Sequence, residues 1–298
     1  MRRLFIKSHI PAILLLSFFF GTNLVVSRFV LGQIHPLAYV AVRMPVATGL
    51  ALLWTLIRHG RLPRGGHLWL HGAIVGVFAT AAPMVFFISA LQYQSSGVTA
   101  LIITLTPVVA TIYAHFLLTD DRLNARKLVG AAISFAGVGL LLATGETGLA
   151  EARWEGFVLV LIGVAANGFG IVHIRKHLSG QNSLDITSVR LLVATLITVP
   201  LAWLTVGFDF SRVEWSGVLA LVYGAVPGTL LGFLLYSSVA SRFGPSKATQ
   251  TEYLVPVVAV AAGVVFLGER LTGIVAAGAV LALTGVFVAT RRPVGGRS

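Results

Sequence analysis

The chain has 298 residues, 56% of them hydrophobic and only 11% charged, with a mean hydropathy of +0.90. Soluble domains carry about 25% charged residues, and apolar stretches of membrane-crossing length follow one another from end to end, so a soluble fold with one anchor is excluded. The net charge is +12 and cysteine is absent; the basic residues lie in separate short loops rather than on one face, which excludes a nucleic-acid binder, and disulfides, thiolate metal sites and cysteine nucleophiles have no residue to build on.

Ten spans can be read, at roughly 10–31, 37–58, 68–92, 97–118, 127–145, 155–174, 186–207, 214–240, 247–267 and 272–290. Met1-Arg2-Arg3 and the apolar run from Ile10 imitate a signal peptide, but the run continues through Val30 with no small-x-small cleavage site after it, which makes it the first span. All connections are short. With the N-terminus in the cytoplasm, sixteen of the 22 Lys and Arg fall on the cytoplasmic side, in the segments around Arg2, Arg58, Arg122, Arg175, Arg242 and Arg291. Only Arg153, Arg212 and Arg270 fall opposite, while Arg28, Arg43 and Arg190 lie within spans. That bias puts both termini in the cytoplasm of an inner, multi-pass membrane protein.

Two stretches repeat. Residues 104–123 and 253–271 each hold Pro-Val-Val-Ala (Pro107–Ala110, Pro256–Ala259) and then an acid followed by Arg-Leu, at an offset of 149 at the prolines and 148 at Arg122 and Arg270. Gly130-Ala131 answers Gly278-Ala279, Gly137-Val138 answers Gly285-Val286, and Val42–Thr48 answers Val189–Thr195 at an offset of 147. Matches in one order at nearly one offset indicate a duplicated half. The second copy starts five spans after the first, and an odd number turns it upside down. The expected fold is therefore an all-α polytopic membrane protein of ten transmembrane helices in two inverted five-helix repeats, residues 1–148 and 149–298. Such repeats suit alternating access.

Pro107, Pro256, Pro83 and Pro227 lie deep in spans four, nine, three and eight. Each removes one N–H and frees the carbonyl four residues back, at Ile103, Glu252, Ala79 and Tyr223. A single proline of this kind is usually re-satisfied locally; four in paired positions point to a central cavity. Glu252 is the only acid inside a span. It is either one half of a strut with Arg190 or a proton-titrating or ammonium-binding site. Arg43, the counterpart of Arg190, is expected to bond helix-end carbonyls or Glu269, with recognition of a carboxylate as the other reading; Arg28 is expected to snorkel. Asn23 and Asn167 fall in the first helix of each half and can line a pathway or glue helices. Thr104, Thr106, Gln250, Thr251 and Tyr253 flank the prolines, and Tyr236 lies on span eight. Phe78, Phe86, Phe87 and Phe233 can meet an apolar substrate or simply face lipid. The histidines lie near span ends with no metal-ligand company, so neither a metal nor a cofactor is expected.

The chain resembles the EamA-type transporters of the drug/metabolite transporter superfamily. The residues that carry the resemblance are Gly21-Thr22-Asn23, Arg43, Thr106-Pro107, Val255-Pro256, Gly268-Glu269-Arg270-Leu271 and the glycine-rich spans five and ten. In the first copy Thr119-Asp120-Asp121-Arg122-Leu123 stands where the family has Gly-Glu. The resemblance implies spans three, four, eight and nine around a central cavity. It also implies a secondary transporter for a small organic solute, an amino acid or related metabolite, moved outwards by alternating access. A drug or other metabolite exporter or exchanger of the same fold is the alternative. A membrane-embedded enzyme is disfavoured because only one acid is buried and no His pair has ligand spacing; a channel would differ by flux that never saturates and shows no counterflow. The partners are the solute and the bilayer; nothing in the sequence sets the oligomeric state, and a monomer is admissible.

Overall fold

The computed structural model describes residues 9–119, 123–144, 154–243 and 251–290, apart from the side chains at 9, 142, 237, 238, 240–243, 252 and 290. Among the described residues the regular structure is entirely helical. The helices are α1 (His9–Val30), α2 (Pro36–His59), α3 (Gly66–Gly76), α4 (Ala82–Ala90), α5 (Ser96–Ile103), α6 (Thr106–Leu117), α7 (Ala125–Thr144), α8 (Trp154–His177), α9 (Ser183–Thr205), α10 (Trp215–Ala225), α11 (Gly232–Phe243), α12 (Thr251–Leu267) and α13 (Gly273–Thr290). A π-helical segment, Val77–Ala81, joins α3 to α4, and another, Val226–Leu231, joins α10 to α11. Seven helical stretches are long and apolar enough to cross a membrane, and Tyr253–Leu267 and Gly273–Ala289 are shorter apolar helices.

Helix boundaries follow local chemistry. The His35 ring accepts from the Leu37 N–H, Pro36 opens α2, and Gly60 at φ 63° closes it. Ser95 caps α5 through the Val98 N–H, and Asn182 caps α9 through the Leu184 N–H; each satisfies a donor the helix itself cannot. The outer surface is apolar, with Leu204 83%, Phe116 76% and Phe266 76% exposed, whereas Arg43 is fully buried. Large apolar groups outside and a cation inside are what a hydrocarbon solvent selects.

Five helix pairings dominate. α7 lies along α13, α2 along α9, α1 along α12, and α8 against α4 and α6. α7 and α13 approach closely at their glycines: a Cβ on Gly130 would fall 2.4 Å from the Ala289 nitrogen, and one on Gly285 would fall 2.3 Å from the Ser134 nitrogen. Close backbone approach of this sort is how helices associate in lipid, where no hydrophobic force separates side chain from solvent. The α2–α9 pair is antiparallel. Thr48 hydrogen-bonds Thr195 at 2.8 Å and Thr55 hydrogen-bonds Ser188 at 2.7 Å, so seven residues forward on one helix meet seven residues back on the other.

Where residues are described, helix bounds fall within a few residues of the expected segments, except where backbone continuity is concerned. Span four is two helices, because the chain turns tightly at Thr104 and Leu105 before Pro107 opens α6. Span nine is one helix from Thr251, with Pro256 inside it. The four expected breaks are thus one real break, two π segments (one ending just before Pro83, the other containing Pro227) and one unbroken helix.

Candidate functional site

The π segments position the polar interior. Inserting a residue widens the turn, so backbone N–H groups bond five residues back: Ala82 to the Val77 carbonyl and Gly232 to the Pro227 carbonyl. Such segments recur at functional sites. Threonines complete the bonding they disturb, with the Thr229 hydroxyl donating to the Gly224 carbonyl at 2.7 Å. The Ala79 carbonyl, freed by Pro83, accepts from the Arg190 guanidinium, whose Nε also donates to Thr80 Oγ1 at 2.7 Å. Arg190 further lies over the Phe233 ring, 4.3 Å from its centroid. The carbonyl argument from sequence is right in kind, and its partner is an arginine from α9 rather than a ligand.

Pro107 behaves differently. The carbonyl it frees, Ile103, accepts from the Thr106 hydroxyl at 2.7 Å, and Thr104 bonds the Leu101 carbonyl at 2.6 Å. Both threonines are buried. Their polar atoms are spent within the break itself.

Arg43 on α2 reaches into the space between α1, α4 and α10. It donates to Ser27 Oγ at 3.4 Å and to Met84 Sδ at 2.9 Å, and its guanidinium carbon stands 5.1 Å from the Tyr39 ring centre. Its Nε, fully buried, has no partner among the described residues. On α1, Asn23 presses against the second π segment, where a Cβ on Gly228 would fall 2.2 Å from Asn23 Oδ1. That Oδ1 is also buried without a partner. The neighbouring Thr22 Oγ1 meets the Tyr223 hydroxyl at 2.7 Å, and Phe20 packs edge-on against Phe233. One donor and one acceptor are therefore unpartnered in the interior among the described residues, with an aromatic pair on α1 and α11. A buried polar atom left open costs about 1–3 kcal/mol, a cost that a ligand carrying an acceptor for Arg43 and a donor for Asn23 would remove.

The remaining sequence candidates take varied places. Tyr236 is half-buried on α11 beside Ala12 and Ile13 of α1. Phe86 is half-buried where α4 meets α8 at Gly163. Asn167 is half-buried on α8, next to Gly168, which abuts Val109 and Ala110 of α6. Tyr253 points to α13, its hydroxyl donating to the Val286 carbonyl at 3.4 Å. Pro256 is buried within α12. The Glu252 side chain and Gln250 lie outside the described residues, so the pairing expected between Glu252 and Arg190 does too.

Three expectations are corrected. Glu269 does not meet Arg43; it accepts from the Ser96 N–H at 2.7 Å, the Ser96 hydroxyl at 2.8 Å and the Gly97 N–H at 3.3 Å, and it pairs with Arg28 Nε at 3.3 Å. A carboxylate at the start of α5 is what the orphan N–H groups and helix dipole favour. Arg28 does not snorkel: besides Glu269, it binds the carbonyls of Leu91 and Gln94. The histidines are not without company, since His67, His71, His173 and His177 gather in one cluster between α3 and α8. Their spacing, four residues apart on each of two helices, was the available signal. At another point of the fold Asp185 binds His59 at 3.1 Å and Arg61 at 3.5 Å, tying α2 to α9. The residues around Arg43, namely Ser27, Tyr39 and Met84, carry no sequence signal of their own.

A family model described as the EamA-like transporter family matches residues 7–143 and again 154–291. The chain belongs to this family. Among relatives, the "Probable amino-acid metabolite efflux pump" of Escherichia coli K12 is 24% identical over 72% of this chain and 74% of its own. The inner membrane transporter YedA of the same organism is 27% identical over 95% and 93%. A crystal structure superposes with a TM-score of 0.65 at 21% identity, over 94% of this chain and 95% of that one, which shows a shared fold. As an EamA-family protein, the chain is a membrane transporter of the drug/metabolite type and not an enzyme.

Proposed function

We propose that this EamA-family protein exports an amino acid or a related carboxylate-bearing metabolite across the inner membrane by alternating access, with Arg43 and Asn23 as the substrate's polar anchors. The observation that carries the reading is the buried Arg43 Nε left without a partner among the described residues, with Asn23 Oδ1 likewise unpartnered one turn along from the stretch Arg43 contacts: Arg43 approaches Gly224 and Asn23 approaches Gly228. A carboxylate suits the guanidinium, which is built to bind it through charge-assisted hydrogen bonds, and an ammonium or amide N–H suits the asparagine oxygen. Phe20 and Phe233 would flank the side chain. The amino-acid substrate class is further supported by the printed name of the Escherichia coli efflux pump.

The reading includes ten membrane helices in two inverted halves, residues 1–148 and 149–298. Support comes from the family model matching twice, and from the antiparallel contacts in which Thr48 meets Thr195, the residue answering it in the repeat. Antiparallel pairing of equivalent helices is what a two-fold axis in the membrane plane produces, and exchange of conformations between such halves switches access from one face to the other.

The test is counterflow in proteoliposomes loaded with a panel of amino acids and amino-acid metabolites, comparing the native chain with Arg43→Gln and Asn23→Ala. Saturable, trans-stimulated flux of a carboxylate-bearing solute is expected. Arg43→Gln should reduce it by at least about tenfold, the equivalent of losing roughly 1.4 kcal/mol of binding, while insertion is retained. Equal flux in the native and Arg43→Gln proteins would remove Arg43 from recognition. Flux that neither saturates nor shows counterflow would favour a channel.

A further inference from the structure

We propose that His67, His71 and His177, oriented by His173, form a binding site for a divalent transition metal of the zinc type, joining the first turns of α3 to the last turns of α8. His67 and His71 stand four residues apart on α3, and His173 and His177 stand four apart on α8, so each pair projects from one helix face. The two faces meet. His71 Nδ1 lies 3.0 Å from His173 Nε2, and the His71 and His177 rings stack with centroids 4.2 Å apart at 8°. His67 is 4.5 Å from His71, and His173 is 4.6 Å from His177, centroid to centroid. One ligand nitrogen from each of His67, His71 and His177 lies within 4.8 Å of the others.

Three imidazoles on a tetrahedral ion, with metal–nitrogen bonds of about 2.0–2.1 Å, place their nitrogens about 3.4 Å apart. Nitrogens within 4.8 Å of one another stand somewhat wider than that, so the His67 and His177 rings would turn to close on the ion. A proton on His71 Nδ1 donated to His173 Nε2 would leave His71 Nε2 free for the metal and fix its ring, as the outer hydrogen bond of a metal-bound histidine does. Water would take the fourth position. Imidazole without thiolate or carboxylate selects zinc, copper, nickel or cobalt over calcium and magnesium.

Occupancy would also have a conformational consequence. The first π segment starts six residues after His71 on the same helical stretch, and α8 approaches that segment so closely that a Cβ on Gly170 would fall 2.5 Å from the Ala79 Cβ. A metal bridging α3 and α8 one to two turns away would hold the two helices together there, favouring any transport state that keeps the four rings in contact.

The experiment uses the full chain purified with an affinity tag free of histidine. Cobalt(II) is titrated and the visible bands of a tetrahedral ion are followed, with zinc as competitor; thermal unfolding with and without zinc is the second readout. One ion per chain with a tetrahedral spectrum and a raised melting temperature is expected. His177→Ala and His71→Ala should abolish the spectrum. His173→Ala should weaken binding by roughly 10–100-fold. His35→Asn, which keeps its capping role on α2, should change nothing. His67→Ala, at an exposed position, gives a variant whose folding is not at risk, and it should lose the tetrahedral bands or bind at least tenfold more weakly. Absence of stoichiometric binding by the native chain, an octahedral spectrum, or unchanged binding in His67→Ala would each overturn the site.

Discussion

Removing the Glu269 carboxylate should destabilise the protein more than any other single change to an ionised side chain at the end of a helix. Its side chain is 5% exposed and that of Arg28 is 22% exposed. Glu269→Ala strips the Ser96 N–H, the Ser96 hydroxyl and the Gly97 N–H of their acceptor and leaves Arg28 bound only to the Leu91 and Gln94 carbonyls. Breaking a buried ion pair by removing one member costs about 3–5 kcal/mol. The lower end applies, because the carbonyls still hold Arg28 and Ser95 still caps α5. At about 2 °C per kcal/mol for a chain of this size, the apparent melting temperature should fall by about 6 °C or more. The assay is thermal unfolding in detergent followed by tryptophan fluorescence. Arg28→Met should cost less, since Glu269 keeps its three donors, and the double variant should fall short of the sum of the singles by about 1 kcal/mol or more. A Glu269→Ala protein that melts within about 2 °C of the native one, or strict additivity in the double variant, would refute the strut.

Other outcomes follow from packing and topology. Gly130→Val should sharply lower the yield of folded protein, because its Cβ would meet the Ala289 nitrogen at 2.4 Å, whereas Gly139→Ala, with nothing within 4 Å, should be neutral; fluorescence-detected gel filtration reads both. Thr48→Cys with Thr195→Cys, the only cysteines in such a chain, should cross-link on mild oxidation, and failure to cross-link would count against the α2–α9 contact. Thr106→Val should cost about 1–3 kcal/mol by orphaning the Ile103 carbonyl, read as a lower melting temperature with transport retained. Cysteines at Ser8 and Ser298 should label from the same side of the membrane; labelling from opposite sides would break the ten-span topology.

The fold class was legible because its signals are long and redundant. Apolar runs of membrane-crossing length mark the helices from one end of the chain to the other. What could not be read was where each freed carbonyl finds its donor. Pro83 and Pro107 carry the same local signal, yet one frees a carbonyl for Arg190 and the other for the threonine next to it. The difference lies in what packs alongside, a tertiary fact absent from either local window. Arg28 shows the same limit. At the end of a span a long cation reads as a snorkelling group, and only the fold brings Leu91, Gln94 and Glu269 to it. The histidines were a different failure. The two pairs at four-residue spacing were visible, but 102 residues separate His71 from His173, and nothing in the sequence joins the two faces.

The polar interior divides into groups that are saturated and groups that are open, and the two kinds should respond oppositely to substitution. Glu269, Asp185 and Arg190 each bind several partners; taking any of them away leaves those partners stranded, so stability falls. Arg43 is different. It is fully buried, its closest partners are a hydroxyl at 3.4 Å and a thioether at 2.9 Å, and its Nε is bare. Replacing a poorly compensated buried charge by an apolar chain of similar length is often neutral or stabilising by about 1–4 kcal/mol. Arg43→Met should therefore melt at or above the native temperature while losing carboxylate transport. A protein that instead unfolds at lower temperature in step with its loss of flux would show Arg43 to be one more strut. The sign of the stability change thus separates the two readings of this arginine, which loss of transport alone does not.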